Sequence, residues 1–215
     1  MALFYFLRHG ETAWNTEGRL CGRTDVPLSD AGRQQARLLA QRLKSIPVEA
    51  LYSSPLGRTL ETARLIGMTT GREPVVDDRL SELNYGVWEG QTLEEVKNAD
   101  PLTYRAWDAD PGRMAPPEGE SGKQLIRRVV PFLDHIASRH NHGHVVVVSH
   151  KTVCRLVVCH ILGVPLAEYR RRLAMENAAL NILQPWEGCW RLVLFNDTSH
   201  LSIPHADSAP LGEEF

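Results

Sequence analysis

The chain has 215 residues, 43% of them hydrophobic, with 24 Lys and Arg against 26 Asp and Glu, for a net charge of -2. That is enough apolar material for one full α/β domain and excludes a disordered chain. It gives no global attraction to nucleic acid or anionic membrane, and no apolar run approaches the ~20 residues that span a bilayer. The start, MALFYFLRHGET, lacks a basic leader and reaches Arg8 too early for a signal peptide. The four cysteines, Cys21, Cys154, Cys159 and Cys189, form no C-x-x-C pair and read as reduced thiols of a cytoplasmic protein.

In chain order, the apolar run 3–7 predicts a strand buried on both faces, ending at Arg8-His9-Gly10. Residues 30–44 place Ala31, Ala36, Leu39, Ala40 and Leu43 at helical spacing behind a Ser29 cap. A second buried strand is predicted over 49–53, then a helix over 57–67 ending near Gly67. Further helices are expected over 91–99 and 121–139, the latter capped by Ser121. Residues 144–148 (HVVVV) give the clearest strand, followed by a helix over 151–162. Residues 178–184 and 190–195 alternate as a terminal hairpin around Glu187-Gly188. The stretch 100–120, rich in Asp, Pro and Gly, reads as an irregular excursion and lid. Residues 1–198 are expected to form one catalytic domain and 199–215 a loose tail. Strands alternating with helices imply a three-layer sandwich, a mostly parallel sheet flanked by helices on both faces.

Open α/β sheets bind ligands outside the carboxyl ends of their strands. Two predicted strands end in Arg8-His9 and Ser149-His150, and a third, Ser53-Ser54-Pro55, leads into Arg58. Two arginines and two histidines at one sheet edge suit a phosphate monoester. Arginine forks hold phosphate oxygens, and a neutral imidazole can attack phosphorus. A glutamate held protonated would supply the leaving group's proton.

Arg8-His9-Gly10-Glu11-Thr12 resembles the signature of the histidine phosphatase superfamily, its phosphoglycerate-mutase-like branch, and the resemblance runs through about residues 3–198. Leu51 to Thr59 is similar to the segment carrying that family's second phosphate arginine, here Arg58. Leu80-Ser81-Glu82-Leu83-Asn84-Tyr85-Gly86 resembles the segment with its acid/base glutamate, here Glu82. Ser149-His150 matches its second histidine. The resemblance implies that His9 is the nucleophile, that Arg8, Arg58 and His150 hold the phosphoryl oxygens, and that Glu82 moves the proton. It further implies that Asn15 assists and that Cys21 and Gly22 line the pocket. No metal and no cofactor is then required. The implied partner is a small phosphate monoester, with no nucleic acid and no membrane. An exposed edge strand would support a homodimer.

Some positions keep two readings. Glu11 and Glu89, near Glu82 in sequence or site, can be structural ion-pair or capping residues or rivals for the acid's role. Lys151 stands where many relatives have glycine, and either extends positive charge toward a substrate anion or snorkels to solvent. The run 140–144 (HNHGH) lacks metal-site spacing and reads as a polar turn. Tyr169-Arg170-Arg171-Arg172 reads as a solvated helix face rather than a nucleic-acid patch. Trp88 and Trp107 read as core or pocket-rim residues. Three activities fit: a phosphomonoesterase, either phosphoserine phosphatase or broad in specificity, a phosphoglycerate mutase, and a non-catalytic phosphate-binding module. The lid carries only the separated Arg105 and Arg113, where mutases have an adjacent arginine pair, and this favours the phosphatase.

Overall fold

The computed structural model describes residues 1–202. Its strands are β1 (Leu3–Arg8), β2 (Val48–Ser53), β3 (Val75–Val76), β4 (His144–Ser149), β5 (Leu180–Trp186) and β6 (Cys189–Asp197). Its helices are α1 (Ala13–Thr16), α2 (Asp30–Leu43), α3 (Gly57–Thr70), α4 (Leu93–Ala99), α5 (Pro101–Ala109), α6 (Gly122–Arg139), α7 (Lys151–Leu162) and α8 (Tyr169–Arg172). One sheet runs in the order β3-β2-β4-β1-β5-β6. β1 to β4 are parallel, while β5 and β6 add an antiparallel hairpin at one edge. This is the three-layer α/β sandwich the sequence implies, with a mixed sheet.

Side chains of a strand alternate between faces, and β1 divides the core accordingly. Phe4 and Phe6 pack with α6 and α7, whereas Tyr5 and Leu7 pack with α2 and α3. Val145 and Val147 of β4 join the first layer, and Val146 and Val148 the second. On α6, Leu125, Val129, Phe132, Leu133 and Ile136 are all buried. Their spacing makes one apolar stripe, and each buried side chain of this kind contributes about 1.5–3 kcal/mol. The Ser121 cap forms a full capping box with Gln124.

Two boundaries depart from the sequence reading. The helix after Pro55 does not end near Gly67 but continues to Thr70, where Gly71 at φ 68° supplies the left-handed cap. The stretch 100–120 is not wholly irregular, because residues 101–109 form α5. Asp100 and Pro101, which read as breakers, are its N-cap and first residue. The beginning of the expected loose tail is held in place: Ser199–Leu201 form a 3-10 turn, and Arg42 of α2 binds Asp197 and Ser199. The rest of that tail lies outside the described residues. Among the described residues, no helix is long and apolar enough to cross a membrane.

Candidate active site

The parallel ladder brings the two histidines together. Arg8 of β1 is in register with Ser149 of β4, and the His9 N–H extends the ladder by donating to the Ser149 carbonyl at 3.1 Å. The next residues, His9 and His150, therefore leave adjacent strands at the same level, with ring centroids 5.2 Å apart. Gly10 then has to pass α2 closely. A Cβ at Gly10 would lie 2.2 Å from the Gly32 carbonyl oxygen, so any larger residue would push the His9 turn off the helix start.

Arg8, His9, Arg58, Glu82 and His150 are all buried. His9 Nδ1 lies 2.6 Å from the Gly10 carbonyl oxygen. A carbonyl only accepts, so Nδ1 carries the proton and Nε2 keeps its lone pair. His9 helps line a cavity of about 190 Å³. Desolvation, then the charges of Arg58 and Arg8, hold the His9 pKa well below its ordinary value. Desolvation and Arg58 do the same to His150.

The arginines are aimed by backbone carbonyls. Arg58 Nη1 donates to Thr24 O at 2.9 Å and Nη2 to Gly22 O at 2.6 Å. Arg8 Nη1 donates to Met175 O at 2.6 Å, and burial pulls its pKa down to about 10. His150 Nε2 pairs with Ser54 Oγ at 2.8 Å. Among the described residues, Arg8 Nε, Arg58 Nε and His150 Nδ1 are buried and find no partner. Buried polar nitrogens left without a partner are unusual, since each costs about 1–3 kcal/mol. An anion beside His9 would satisfy them.

Glu82 is 4% exposed and accepts the backbone N–H of Leu83 at 2.7 Å and of Thr152 at 3.1 Å. Desolvation outweighs those bonds and raises its pKa. Arg128 of α6 steadies the loop, donating to the carbonyls of Arg79 at 2.7 Å and Glu82 at 3.1 Å while Glu120 grips its guanidinium at 2.8 Å.

The family description "Histidine phosphatase superfamily (branch 1)" matches residues 4–198. The chain belongs to this superfamily. It is 36% identical over 201 residues to phosphoserine phosphatase 1 of Hydrogenobacter thermophilus, covering 94% of this chain and 95% of that one. It is 34% identical over 212 residues to the probable phosphoglycerate mutase GpmB of Yersinia pestis, covering 96% and 98%. Among solved structures, a phosphoserine phosphatase mutant from Entamoeba histolytica in complex with phosphoserine superposes with a TM-score of 0.84 at 29% identity, covering 94% of this chain and all of that one. Family and fold together give this chain the activity of a histidine-phosphatase-type hydrolase.

Within this histidine phosphatase fold, Asn15, Cys21 and Lys151 line the cavity as the sequence suggested. Asn15 Oδ1 also accepts the Thr12 N–H at 3.1 Å, which fixes the side chain. Gly22 does not line the cavity; its carbonyl aims Arg58 instead. Arg58 and His150 are buried beside His9 rather than on the cavity wall. The two rival glutamates have structural partners. Glu89 accepts the backbone N–H groups of Arg23 and Thr24, each at 2.7 Å, and Glu11 accepts the Ser29 hydroxyl at 2.8 Å. In the 140–144 run, His140 meets Tyr52 and Glu49, and His144 meets Tyr5. Among the described residues, no group of three or more His, Cys, Asp or Glu is arranged to hold a metal ion.

In the 169–172 run, Arg171 and Arg172 are exposed as expected, but the first two residues are not on a solvated face. Tyr169 is 1% exposed, and Arg170 lies over the Trp107 ring at 4.5 Å and binds Asp108 at 2.7 Å. Arg170 thus lines the cavity rather than a solvated face. Arg155, Thr152 and Tyr85 line it too and were not legible in the sequence. Arg155 has a faint signal, as the lone charge inside an otherwise apolar helix, one turn beyond Lys151.

Proposed function

We propose that the protein is a phosphomonoesterase that hydrolyses a small phosphorylated metabolite through a phosphohistidine at His9, without a metal ion. The reading rests on the buried, unpartnered nitrogens of Arg8, Arg58 and His150, with the His150 ring packed against that of His9. In the first step, His9 Nε2 attacks phosphorus and the N–P bond forms as the ester P–O bond breaks. Arg8, Arg58 and His150, with Asn15, hold the phosphoryl oxygens and balance their charge, the main task in phosphoryl transfer. Glu82, whose pKa burial raises, gives its proton to the departing alkoxide. In the second step, water attacks the phosphohistidine, Glu82 takes a proton from it, the N–P bond breaks and inorganic phosphate leaves. Cys21 and Lys151 contact the part of the substrate outside the phosphate.

Phosphoserine is the first substrate to test, since a phosphoserine phosphatase is among the chain's relatives and a solved structure similar to it holds phosphoserine. Two arginines supply the positive charge that a divalent ion would otherwise bring, and the neutral second imidazole adds a hydrogen bond. The test combines rapid labelling with a phosphate-ester panel in excess EDTA. Wild type is expected to trap acid-labile, base-stable phosphate on His9 and to release inorganic phosphate. His9→Ala is expected to trap none, to lose about 10⁴-fold or more in turnover, and to keep its fold by circular dichroism. Label on another residue type, or activity that vanishes in EDTA, would overturn the mechanism. Phosphoryl return to a phosphoglycerate hydroxyl would assign the chain to mutase chemistry.

A further inference from the structure

The His9 end of the cavity is matched by a second cationic region. Lys151 and Arg155 stand one turn apart on α7, on the wall of the His9 cavity and of a second one that adjoins it. Among the described residues neither has a carboxylate partner within salt-bridge distance, although Arg19 and Arg170 on the same wall are both paired. Arg8 and Arg170 add positive charge beside the pair, which Glu82 and Glu176 offset in part. Burial and then Arg8 pull the Lys151 pKa down to about 8, and burial lowers that of Arg155. Unmatched positive charge crowded into a cavity is unfavourable unless a ligand brings the counter-charge.

A second observation is independent of charge. Trp107 of α5 is 1% exposed and lines the cavity, and its indole N–H finds no acceptor in the protein. The Arg155 Nε is likewise buried without one. The stack of Arg170 on Trp107 and its bond to Asp108 hold this wall rigid. Position sets the scale: Lys151 directly follows His150, and Arg155 lies one helical turn on, a rise of about 5.4 Å.

We infer that Lys151, Arg155 and the Trp107 indole N–H form a subsite for a second anionic group on the substrate, close to the phosphate, so that the enzyme selects small phosphate monoesters carrying a carboxylate or a second phosphate. This rests on the phosphatase reading above and deepens it by naming a substrate class.

The experiment compares matched pairs of esters that differ only in the second anion. Phosphoserine is set against phosphoethanolamine, 3-phosphoglycerate against glycerol 3-phosphate, and a short bisphosphate against its monophosphate. Wild type is expected to favour the doubly anionic member by at least tenfold in kcat/KM. The carboxylate and bisphosphate pairs separate the two sources of the anion. Arg155→Met is expected to collapse that preference, mainly through KM on the doubly anionic substrates. Arg139→Gln, at an exposed position at the end of α6 and on the wall of neither cavity, serves as control and keeps it. Calorimetric binding of 3-phosphonopropionate against propylphosphonate to wild type needs neither a folded variant nor turnover. Tighter binding of the carboxylated phosphonate by tenfold supports the subsite even if the phosphohistidine mechanism fails. Equal binding of the two phosphonates, or an unchanged preference in well-folded Arg155→Met, would overturn the inference.

Discussion

The two ends of the cavity are built on different principles. At the His9 end, backbone does the positioning: a parallel ladder sets His9 beside His150, and carbonyls of Gly22, Thr24 and Met175 aim the arginines. At the far end, side chains from α5 and α8 hold one another, through the Arg170–Trp107 stack and the Arg170–Asp108 pair. The first end fits a group that is the same in every substrate. The second can change residue by residue without disturbing the sheet. Conserving a phosphate cradle while varying specificity requires this separation.

The largest effects should separate chemistry from charge within the His9 end. Glu82→Gln is expected to slow phosphohistidine formation from an alkyl phosphate by ~10²–10⁴-fold, the range of general acid catalysis. It should slow that step far less with p-nitrophenyl phosphate, whose leaving group needs no proton. Arg58→Ala, which removes charge from the phosphoryl group, should slow both substrates alike by about 10²–10³-fold. Single-turnover measurements isolate the first step, and equal losses in Glu82→Gln would move the acid's role elsewhere. The raised pKa of Glu82 gives the sign with pH. Alkyl-phosphate turnover should decline on the alkaline side as Glu82 loses its proton, and this limb should be absent from the first step in Glu82→Gln.

A smaller effect should come from Arg128, a positioning residue that touches only the backbone of the Glu82 loop and Glu120. Arg128→Met leaves the half-buried Glu120 without its partner and is expected to cost roughly 1–3 kcal/mol in denaturant unfolding. Arg128→Met/Glu120→Leu should regain much of that stability. The alkaline limb of the alkyl-phosphate profile should stay shifted in the double variant, which a purely structural role would not produce.

The smallest effect is on stability against pH. Buried His9 and His150 have depressed pKa values. Their neutral burial therefore stabilises the fold above the ordinary histidine pKa of about 6.5, and that contribution is lost as pH falls below it. Each depressed histidine contributes a slope of at most about 1.4 kcal/mol per pH unit there. Glu82, with a raised pKa, acts in the opposite sense, contributing at low pH and losing it as pH rises through its folded value. Denaturant midpoints between pH 7.5 and 5 should fall in wild type and fall less in His9→Asn/His150→Asn. Identical slopes would mean that the histidines are not held neutral.

Much of this was legible in the sequence because local rules governed it. Capping residues Ser29 and Ser121 and the buried runs of β1 and β4 marked their own elements. Asp100-Pro101 misled, because the same two residues end one helix and start the next, and only the burial of Trp107 decides that α5 forms. The Tyr169–Arg172 run misled for a related reason. Charge in a short helix reads as solvated until a partner such as Trp107, 63 positions away, is brought beneath it.

The sequence by itself determined the layers, the strand ends and the His9–His150 pairing, since period, caps and strand-end chemistry act over a few residues. Only the tertiary structure decided that Arg155 and Lys151 stand unpaired on one wall, that Gly22 aims Arg58, and that Glu89 and Glu11 are taken up by backbone and hydroxyl partners. Those facts depend on which side chains are left without a partner once every other segment has packed. That is a property of the whole fold, and no local stretch of sequence carries it.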